Sequence, residues 1–316
     1  MIKDFIHRHQ FWLFYVLSLL IAMGAAFWMF TFTPMDIAVL FDEAQKNLGI
    51  NHFSVFVPLS LTFKYPILLP SILFPAAPTV AGLIIIWYTT RKKGLSLLFS
   101  RFKPWREDIQ KNEAFKTYGI ILSGVLTYLL ILLAYNAFVV GGDAFETSLA
   151  NLRIDSPLLM VFFFVMAAFF DCGGLLEEGG WRGYALPYLQ GKMKTPLMAA
   201  ILLGVLWGVW HFPRDIPYIT SLSGYFIQQL NFVLGTTVHT IILAYFFNRL
   251  GGSLIPVIII HGLSNYIGDM MGTHGAHMIF LQFDAQNLLK LIIVLIILWA
   301  AGTNLGLRQK EHYEKE

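Results

Sequence analysis

The sequence predicts an all-α, polytopic membrane protein with about eight transmembrane helices. Of its 316 residues, 57% are hydrophobic and only 13% are charged, whereas soluble domains carry about 25% charged residues. The mean hydropathy is +0.64, and long apolar runs recur along the whole chain. A soluble domain of this size needs more polar surface than these residues supply. The composition therefore predicts a single integral membrane domain over residues 1–316.

Eight apolar segments are long enough to cross about 30 Å of hydrocarbon. They lie at residues 11–32, 66–88, 117–140, 157–178, 196–213, 230–248, 253–270 and 286–305. The first is too long for the apolar part of a cleaved signal peptide, so we interpret it as a retained span. The second contains four prolines, which predict a kinked or late-starting helix.

Lysine and arginine residues are unequally divided between the two sets of loops. With eight spans, 17 fall on the side of both termini, and the other side has four: Lys46, Lys64, Arg153 and Arg214. Because basic loops tend to stay in the cytoplasm, this predicts a multi-pass protein of the cell membrane with both termini cytoplasmic. Residues 89–116 mix basic and apolar side chains, which is typical of a cytoplasmic or interfacial segment.

Composition also limits which partners the protein can bind and which chemistry its cysteine can have. The net charge is only +3 and no basic groove with interleaved aromatic residues is evident, so we expect the lipid bilayer as a partner and no nucleic acid. The single cysteine, Cys172, excludes an intramolecular disulfide. We interpret it as a small buried hydrophobic residue, with a thiol nucleophile as the alternative.

Three clusters of polar residues interrupt the apolar segments. They are Glu177, Glu178 and Arg182 at the end of the fourth span, Trp207 and His211 at the end of the fifth, and His261 and Asn265 inside the seventh. An ionisable residue in hydrocarbon costs several kcal/mol, so such clusters are functional candidates by default. Each has a simpler reading when it stands alone: a solvated helix end, an interfacial histidine or a helix-packing amide.

The spacing of these residues predicts which side chains face each other. Residues four apart share one helix face, so His261 and Asn265 point into one space, and Glu178 and Arg182 can form an ion pair. Glu177 is offset by about 100° and stays available for chemistry. To bring it near His211, the fourth helix must continue through residues 181–190 and keep the glutamate buried, and we predict this arrangement.

Together the clusters favour hydrolysis. A glutamate in a low-dielectric site is a plausible base for a water molecule. One histidine can share that water or bind a metal, and a second histidine with an asparagine can donate hydrogen bonds to a developing oxyanion. The chain lacks the Gly-x-Ser-x-Gly, Walker glycine-loop and His-Glu-x-x-His motifs. His52, His239, His274 and His277 are interpreted as interfacial residues, although His239 lies inside the sixth span and could instead support the catalytic residues.

Three motifs resemble those of a known family. "EEGGWR" (177–182), "WGVWH" (207–211) and "HGLSN" (261–265) match, in order, the motifs of the CPBP intramembrane endopeptidases, the CAAX protease and bacteriocin-processing or Abi family. The resemblance covers about residues 155–270, which we interpret as the catalytic core. One departure is Trp207, where the family often has phenylalanine; we expect this aromatic ring to pack.

The resemblance implies a fold, a reaction and a site. It implies an eight-helix bundle with a polar cavity open toward the cytoplasm, in which Glu177 and His211 activate water and His261 with Asn265 stabilise the oxyanion. Glu178, Arg182 and Trp207 would support the site. Members are often called metalloproteases, but a metal-free mechanism is also attributed to the family. No cofactor is required by the sequence, although Glu177, His211 and His261 could bind zinc.

The expected substrate is a peptide or lipidated protein within the membrane, of the prenylated or bacteriocin type. Two other functions stay open at this point. One is a proton- or ion-coupled transporter that uses the same polar residues as a relay. The other is a catalytically silent immunity or scaffold protein. We see no internal repeat and no lost motif residue, and both observations favour the peptidase.

Overall fold

The computed structural model describes residues 2–33, 36–216, 221–272 and 285–307, and these form the predicted all-α fold. Within these ranges the chain has no β-sheet, and one isolated bridge pairs Ser54 with Asp171. The helices are α1 (Ile2–Phe32), α2 (Ile37–Leu48), α3 (Phe56–Lys64), α4 (Pro70–Thr89), α5 (Arg91–Ser100), α6 (Lys111–Tyr135), α7 (Ala144–Asn151), α8 (Pro157–Phe170), α9 (Cys172–Gly180), α10 (Leu186–Lys192), α11 (Pro196–Trp210), α12 (Phe212–Asp215), α13 (Leu222–Arg249), α14 (Ile255–Met271) and α15 (Ala285–Ala301). His274 and His277 lie outside the described residues.

Each of the eight predicted spans is largely helical where the structure describes it. Six helical stretches of the described chain are long and apolar enough to cross a membrane, and they contain α1, α4, α6, α11, α13 and α15. The fourth and seventh predicted spans are shorter, because α8 has 14 residues before a break and α14 has 17. The second span starts late, as its prolines predicted: Pro66–Leu68 form a 3₁₀ turn and α4 begins at Pro70.

The fourth span is broken at Asp171, which has extended backbone angles between α8 and α9. The loop before α3 pairs with this break: the amide of Cys172 donates to the carbonyl of Phe53, and that of Val55 donates to the carbonyl of Phe170, both at 2.9 Å. These bonds satisfy backbone groups that hydrocarbon would leave unpaired. The break therefore costs little, and it redirects the chain before the glutamate pair.

Beyond the break the chain stays helical, as we predicted. The π-helical turn Trp181–Ala185 joins α9 to α10 without a surface loop. π-Turns often mark functional sites because they insert one residue and rotate the side chains that follow. Glu177 and Glu178 are consequently both buried in the bundle.

Glycines allow the helices that carry the site to approach closely. A β-carbon at Gly262 of α14 would collide with the carbonyl oxygen of Ala167, and one at Gly180 would collide with the carbonyl carbon of Pro78. Neither contact is sterically allowed, so only glycine fits at these positions. α9 is thereby held between α4 and α14, and the glutamate pair faces the imidazole of α14.

A large cavity opens at one end of the bundle. Its walls come from the C-terminal turns of α1 and α11, the N-terminal turns of α4 and α15, and the adjoining halves of α13 and α14. The beginning of α1 and the α5 segment lie at the opposite end. The predictions of cytoplasmic termini and of a cavity open toward the cytoplasm therefore exclude each other, because the bundle separates the two places.

Candidate active site

The cavity brings the three polar clusters together. It has a volume of about 1210 Å³, and its lining includes Glu177, Trp207, His211, His261 and Asn265. These five side chains come from α9, α11 and α14 and the residue that follows α11. The two remaining motif residues, Glu178 and Arg182, are fully buried behind the cavity wall.

Glu178 and Arg182 form a buried ion pair. Arg182 Nη1 lies 2.8 Å from Glu178 Oε1, and neither side chain is exposed to solvent. The same carboxylate oxygen accepts a hydrogen bond from His261 Nδ1 at 2.7 Å, and Arg182 Nη2 donates to Thr240 Oγ1 at 2.9 Å. A buried charge is tolerated only when it is paired and hydrogen-bonded. This network therefore ties α9 and its π-turn to α13 and α14.

Trp207 connects Glu177 to His211. Its indole Nε1 donates to Glu177 Oε2 at 2.8 Å, and its backbone carbonyl accepts from His211 Nδ1 at 2.8 Å. A carbonyl can only accept, so His211 carries its proton on Nδ1 and a neutral ring keeps Nε2 as a hydrogen-bond acceptor. The guanidinium of Arg182 lies over the indole at 4.4 Å. We expected Trp207 only to pack, and its hydrogen bond to Glu177 was missed.

His261 and Asn265 converge on a space beside Gly173. With Nδ1 of His261 bonded to Glu178, Nε2 is the ring atom directed toward the site. A β-carbon added at Gly173 would lie 3.1 Å from His261 Nε2 and 3.4 Å from Asn265 Nδ2. Both nitrogens thus face one small volume that the absent side chain leaves open. This confirms that the two motif residues point into one space.

Asp171 was not predicted to be a residue of the site. Its Oδ1 accepts from Asn265 Nδ2 at 3.1 Å and from the amide of Gly174 at 2.7 Å, so the same oxygen also caps α9. Asp171 is buried and lines the cavity. As an ionisable residue within an apolar run, it met the criterion that selected Glu177 and Glu178.

His239 was interpreted as interfacial, but it also lines the cavity. Its ring stacks on Trp207 with centroids 6.0 Å apart and meets His261 edge-on at 5.8 Å. The ring is 5% exposed, and its position inside α13 was the signal that it belongs to the site. Cys172, in contrast, is fully buried and does not appear in the cavity lining, which agrees with a packing role.

The described side chains do not form a metal site. Across the described ranges, no three His, Cys, Asp or Glu side chains are grouped so that they could hold a metal ion. Glu177, His211 and His261 line one cavity, but they do not converge as the short-range ligands that zinc needs at about 2.0–2.2 Å. Binding of zinc by these three residues therefore stays a prediction that the grouping of the described side chains does not support.

Comparison with known proteins assigns the same part of the chain to a family. Residues 153–267 match the family described as "Type II CAAX prenyl endopeptidase Rce1-like". The match supports the resemblance to the CPBP family that the three motifs carry. The Rce1-like segment includes all three motifs, and its limits agree with the 155–270 region expected from the sequence.

A curated relative matches a similar length of chain. A CAAX prenyl protease 2 from Methanococcus maripaludis is 34% identical over 135 residues, which is 42% of this chain. The match spans 44% of that relative, so the chain aligns with less than half of the curated protein. α1 to α7 lie outside the family match, and of these helices α1, α2 and α4 line the cavity.

Proposed function

We propose that this protein is an intramembrane endopeptidase that hydrolyses a peptide bond with water activated by Glu177 and His211. One observation carries the proposal: Trp207 holds both residues at the cavity wall, one through its indole and the other through its carbonyl. On the same cavity, two nitrogens of α14 face the space beside Gly173. A base and a donor pair on one cavity are what acyl transfer to water requires.

The proposed reaction begins with a water molecule between Glu177 and His211 Nε2. Glu177 takes one proton as the water oxygen attacks the peptide carbonyl carbon, and His211 accepts a hydrogen bond from the other. The carbonyl π-electrons move to oxygen and give a tetrahedral oxyanion. When the C–N bond breaks, Glu177 returns its proton to the leaving amine, so the products are a carboxylic acid and an amine, and the acid then passes its remaining proton to the amine to give a carboxylate and an ammonium group.

The oxyanion is proposed to sit beside Gly173. Asn265 donates from Nδ2, and the doubly protonated form of His261 donates from Nε2. The buried carboxylate of Glu178 faces the opposite nitrogen of that ring at 2.7 Å and balances its charge. Fixed donors that need no reorganisation are the largest contribution in many hydrolases. Glu178 and Arg182 thus position His261 and do not touch the substrate.

The mechanism uses no step through a metal, because the described residues do not form a metal site. Cleavage should therefore persist in the presence of a strong zinc chelator. Loss of cleavage in the chelator and its return with added zinc would contradict this part of the proposal.

The cavity walls suggest a substrate with an apolar anchor. Aromatic and aliphatic side chains of α1, α2 and α4 form one wall, among them Met29, Phe41 and Phe74. The facing wall carries carboxamides, including Asn231 and Asn287. Apolar area buried from water contributes about 25 cal/mol per Å², and amides suit an extended peptide backbone. We propose a membrane-anchored polypeptide whose lipid or apolar segment lies on the first wall.

The test is cleavage by the full chain in liposomes, followed by mass spectrometry. The probes are a farnesylated peptide that ends in a CAAX pattern and a leader-type peptide without a lipid. Wild type should cleave at least one, and Glu177→Ala, His211→Ala and His261→Ala should each abolish cleavage. Unchanged cleavage in all three variants would overturn the proposal. Absence of cleavage together with ion flux that depends on Glu177 would favour a transporter.

A further inference from the structure

We propose that the cavity opens on the non-cytoplasmic face of the membrane and takes polypeptides presented there. The substrate part of this inference rests on the proposed peptidase function, whereas the orientation does not. It follows from two independent observations. The cavity lies at one end of the bundle, and the basic residues of the loops lie at the other.

The cavity end is defined by the direction of the helices. α1 contributes Met29 and Phe30 from its last turns, and α4 contributes Ser71 and Phe74 from its first. The first turns of α1 lie at the far end: Arg8 precedes Met29 by 21 residues, which is about 32 Å along a helix at 1.5 Å per residue. That length equals the hydrocarbon thickness of a bilayer.

The other membrane-spanning helices agree with this direction. α11, which precedes His211, and α14, which carries Asn265 and Asp269, both end at the cavity. α13 and α15 begin at the cavity, and their far ends meet: Asn248 donates to the carbonyl of Leu305 at 3.1 Å. The α5 segment belongs to that far end, because Arg101 donates to the carbonyl of Gly252. The whole bundle therefore has one cavity end and one far end.

The far end carries most of the loop cations. Twelve lysines and arginines lie there on described elements: Arg8, Arg91, Lys92, Lys93, Arg101, Lys103, Arg106, Lys111, Lys116, Lys192, Lys194 and Arg249. The cavity end has five: Lys46, Lys64, Arg153 and Arg214 in its loops and short helices, and Lys290, which lines the cavity from α15. Six of the twelve lie in the short connection between α4 and α6, and two more lie in the first two turns of α6. The positive-inside rule is strongest for short connections of this kind.

The charge distribution therefore places the far end in the cytoplasm and the cavity on the opposite face. Inverting the protein would require this basic connection to cross the membrane against the membrane potential. Of the two incompatible predictions, cytoplasmic termini are retained and the cytoplasmic opening is abandoned.

This orientation selects the substrate class. A scissile bond reaches Glu177 from the side where α2 and the start of α13 surround the cavity mouth. A polypeptide that is exported, or anchored with its tail outside, can present a bond there. A prenylated protein that remains in the cytoplasm cannot. We therefore infer that the substrate is an exported or outward-facing peptide with an apolar anchor, and that a translocation step supplies it.

Cysteine labelling in sealed cells tests the orientation without reference to activity. The only native thiol, Cys172, is fully buried, and Cys172→Ala gives a chain without cysteine. Single cysteines are then placed at three exposed positions: Asn47→Cys on α2, Gln228→Cys in the cavity wall and Ser96→Cys on α5. The probe is a sulfonated maleimide that does not cross membranes.

We expect Asn47→Cys and Gln228→Cys to be labelled nearly completely in intact cells, and Ser96→Cys to be labelled only after permeabilisation. Labelling of Ser96→Cys in sealed cells, alone or together with the other two, would overturn the inference and support a cytoplasmic opening or mixed orientation. Failure of the peptidase proposal would leave this labelling pattern unchanged, so the two results are distinguishable.

Discussion

Asn265 Nδ2 donates a hydrogen bond to Asp171 Oδ1 at 3.1 Å, across the break between α8 and α9. The amide group of an asparagine can be turned either way, and only one orientation presents N–H groups to an oxyanion. An acceptor at the back of the site fixes that orientation and leaves the second N–H of Nδ2 for the substrate. Asp171, the residue at the break in the fourth span, thus orients the amide of Asn265 that is proposed to donate to the oxyanion.

A double-mutant cycle tests this coupling. Asn265→Ala should lower kcat by about 100-fold with little change in KM, as for loss of one oxyanion donor. Asp171→Ala should lower kcat about tenfold, through the loss of one hydrogen bond to a charged group. In the Asn265→Ala background, Asp171→Ala should cause almost no further loss of kcat.

The cycle separates positioning from stability. Asp171 also caps α9, so its loss should lower the free energy of unfolding by about 1 kcal/mol in both backgrounds. Tm should fall accordingly. Asp171→Asn keeps an acceptor oxygen and should recover most of the lost kcat. Equal losses of kcat from Asp171→Ala in the two backgrounds would show that the residue acts only on the fold.

The open space beside Gly173 predicts a steric block. In Gly173→Ala the new methyl group would lie 3.1 Å from His261 Nε2, where the oxyanion is proposed to bind. We expect kcat to fall about 100-fold, comparable to loss of a donor. Gly119→Ala in α6 is the matched control, since nothing lies within 4 Å of its added carbon. Equal activity of the two variants would contradict the assigned location of the oxyanion.

The indole of Trp207 predicts a difference between two tryptophans on one helix. Trp207→Phe keeps a ring but removes the hydrogen bond to Glu177, worth about 1.5–3 kcal/mol for a charged acceptor. We expect kcat to fall roughly ten- to hundredfold. Trp210→Phe is the control, because Trp210 is equally buried and its Nε1 has no hydrogen-bond partner in the structure. Similar losses of kcat in both variants would show that Trp207 contributes only through packing.

His52 predicts a pH dependence of stability. It lies in the loop before α3, outside the spans, and burial lowers the pKa of its imidazole from 6.5 to about 4, although Asp269 opposes the shift. The unfolded chain therefore binds this proton first, and stability is lost as pH falls from about 6.5 to 4. Thermal unfolding in detergent should show that His52→Phe, which keeps a ring beside Tyr266, reduces this loss. Identical pH profiles would contradict it.

Patterns within single helices were sufficient to predict most of the helices and part of the site. The length of the apolar segments was sufficient to predict that each of the eight would be largely helical, because hydrocarbon forces backbone groups to pair within a segment. The i, i+4 rule was sufficient for the Glu178–Arg182 ion pair and for the shared direction of His261 and Asn265. In each case the relationship lies within one helix.

Relationships between helices were harder to predict. Asp171 acquires its role only because α8 ends there and α14 passes beside it, and neither fact is local. His239 faces the site because α13 packs against α11 across Gly204 and Gly208. The position of the site in the bundle depends on where the fourth span is broken between α8 and α9. Sequence spacing alone does not contain this information.

Replacement of one oxygen tests the central claim most directly. Glu177→Gln keeps the size of the side chain and its acceptor toward Trp207, but it cannot take a proton from water. We predict that its rate of peptide cleavage in liposomes falls 10²- to 10⁴-fold, the usual contribution of a general base, while Tm is retained and Cys172→Ser cleaves normally. Cleavage by Glu177→Gln within tenfold of wild type would contradict glutamate-activated water as the chemistry of this site.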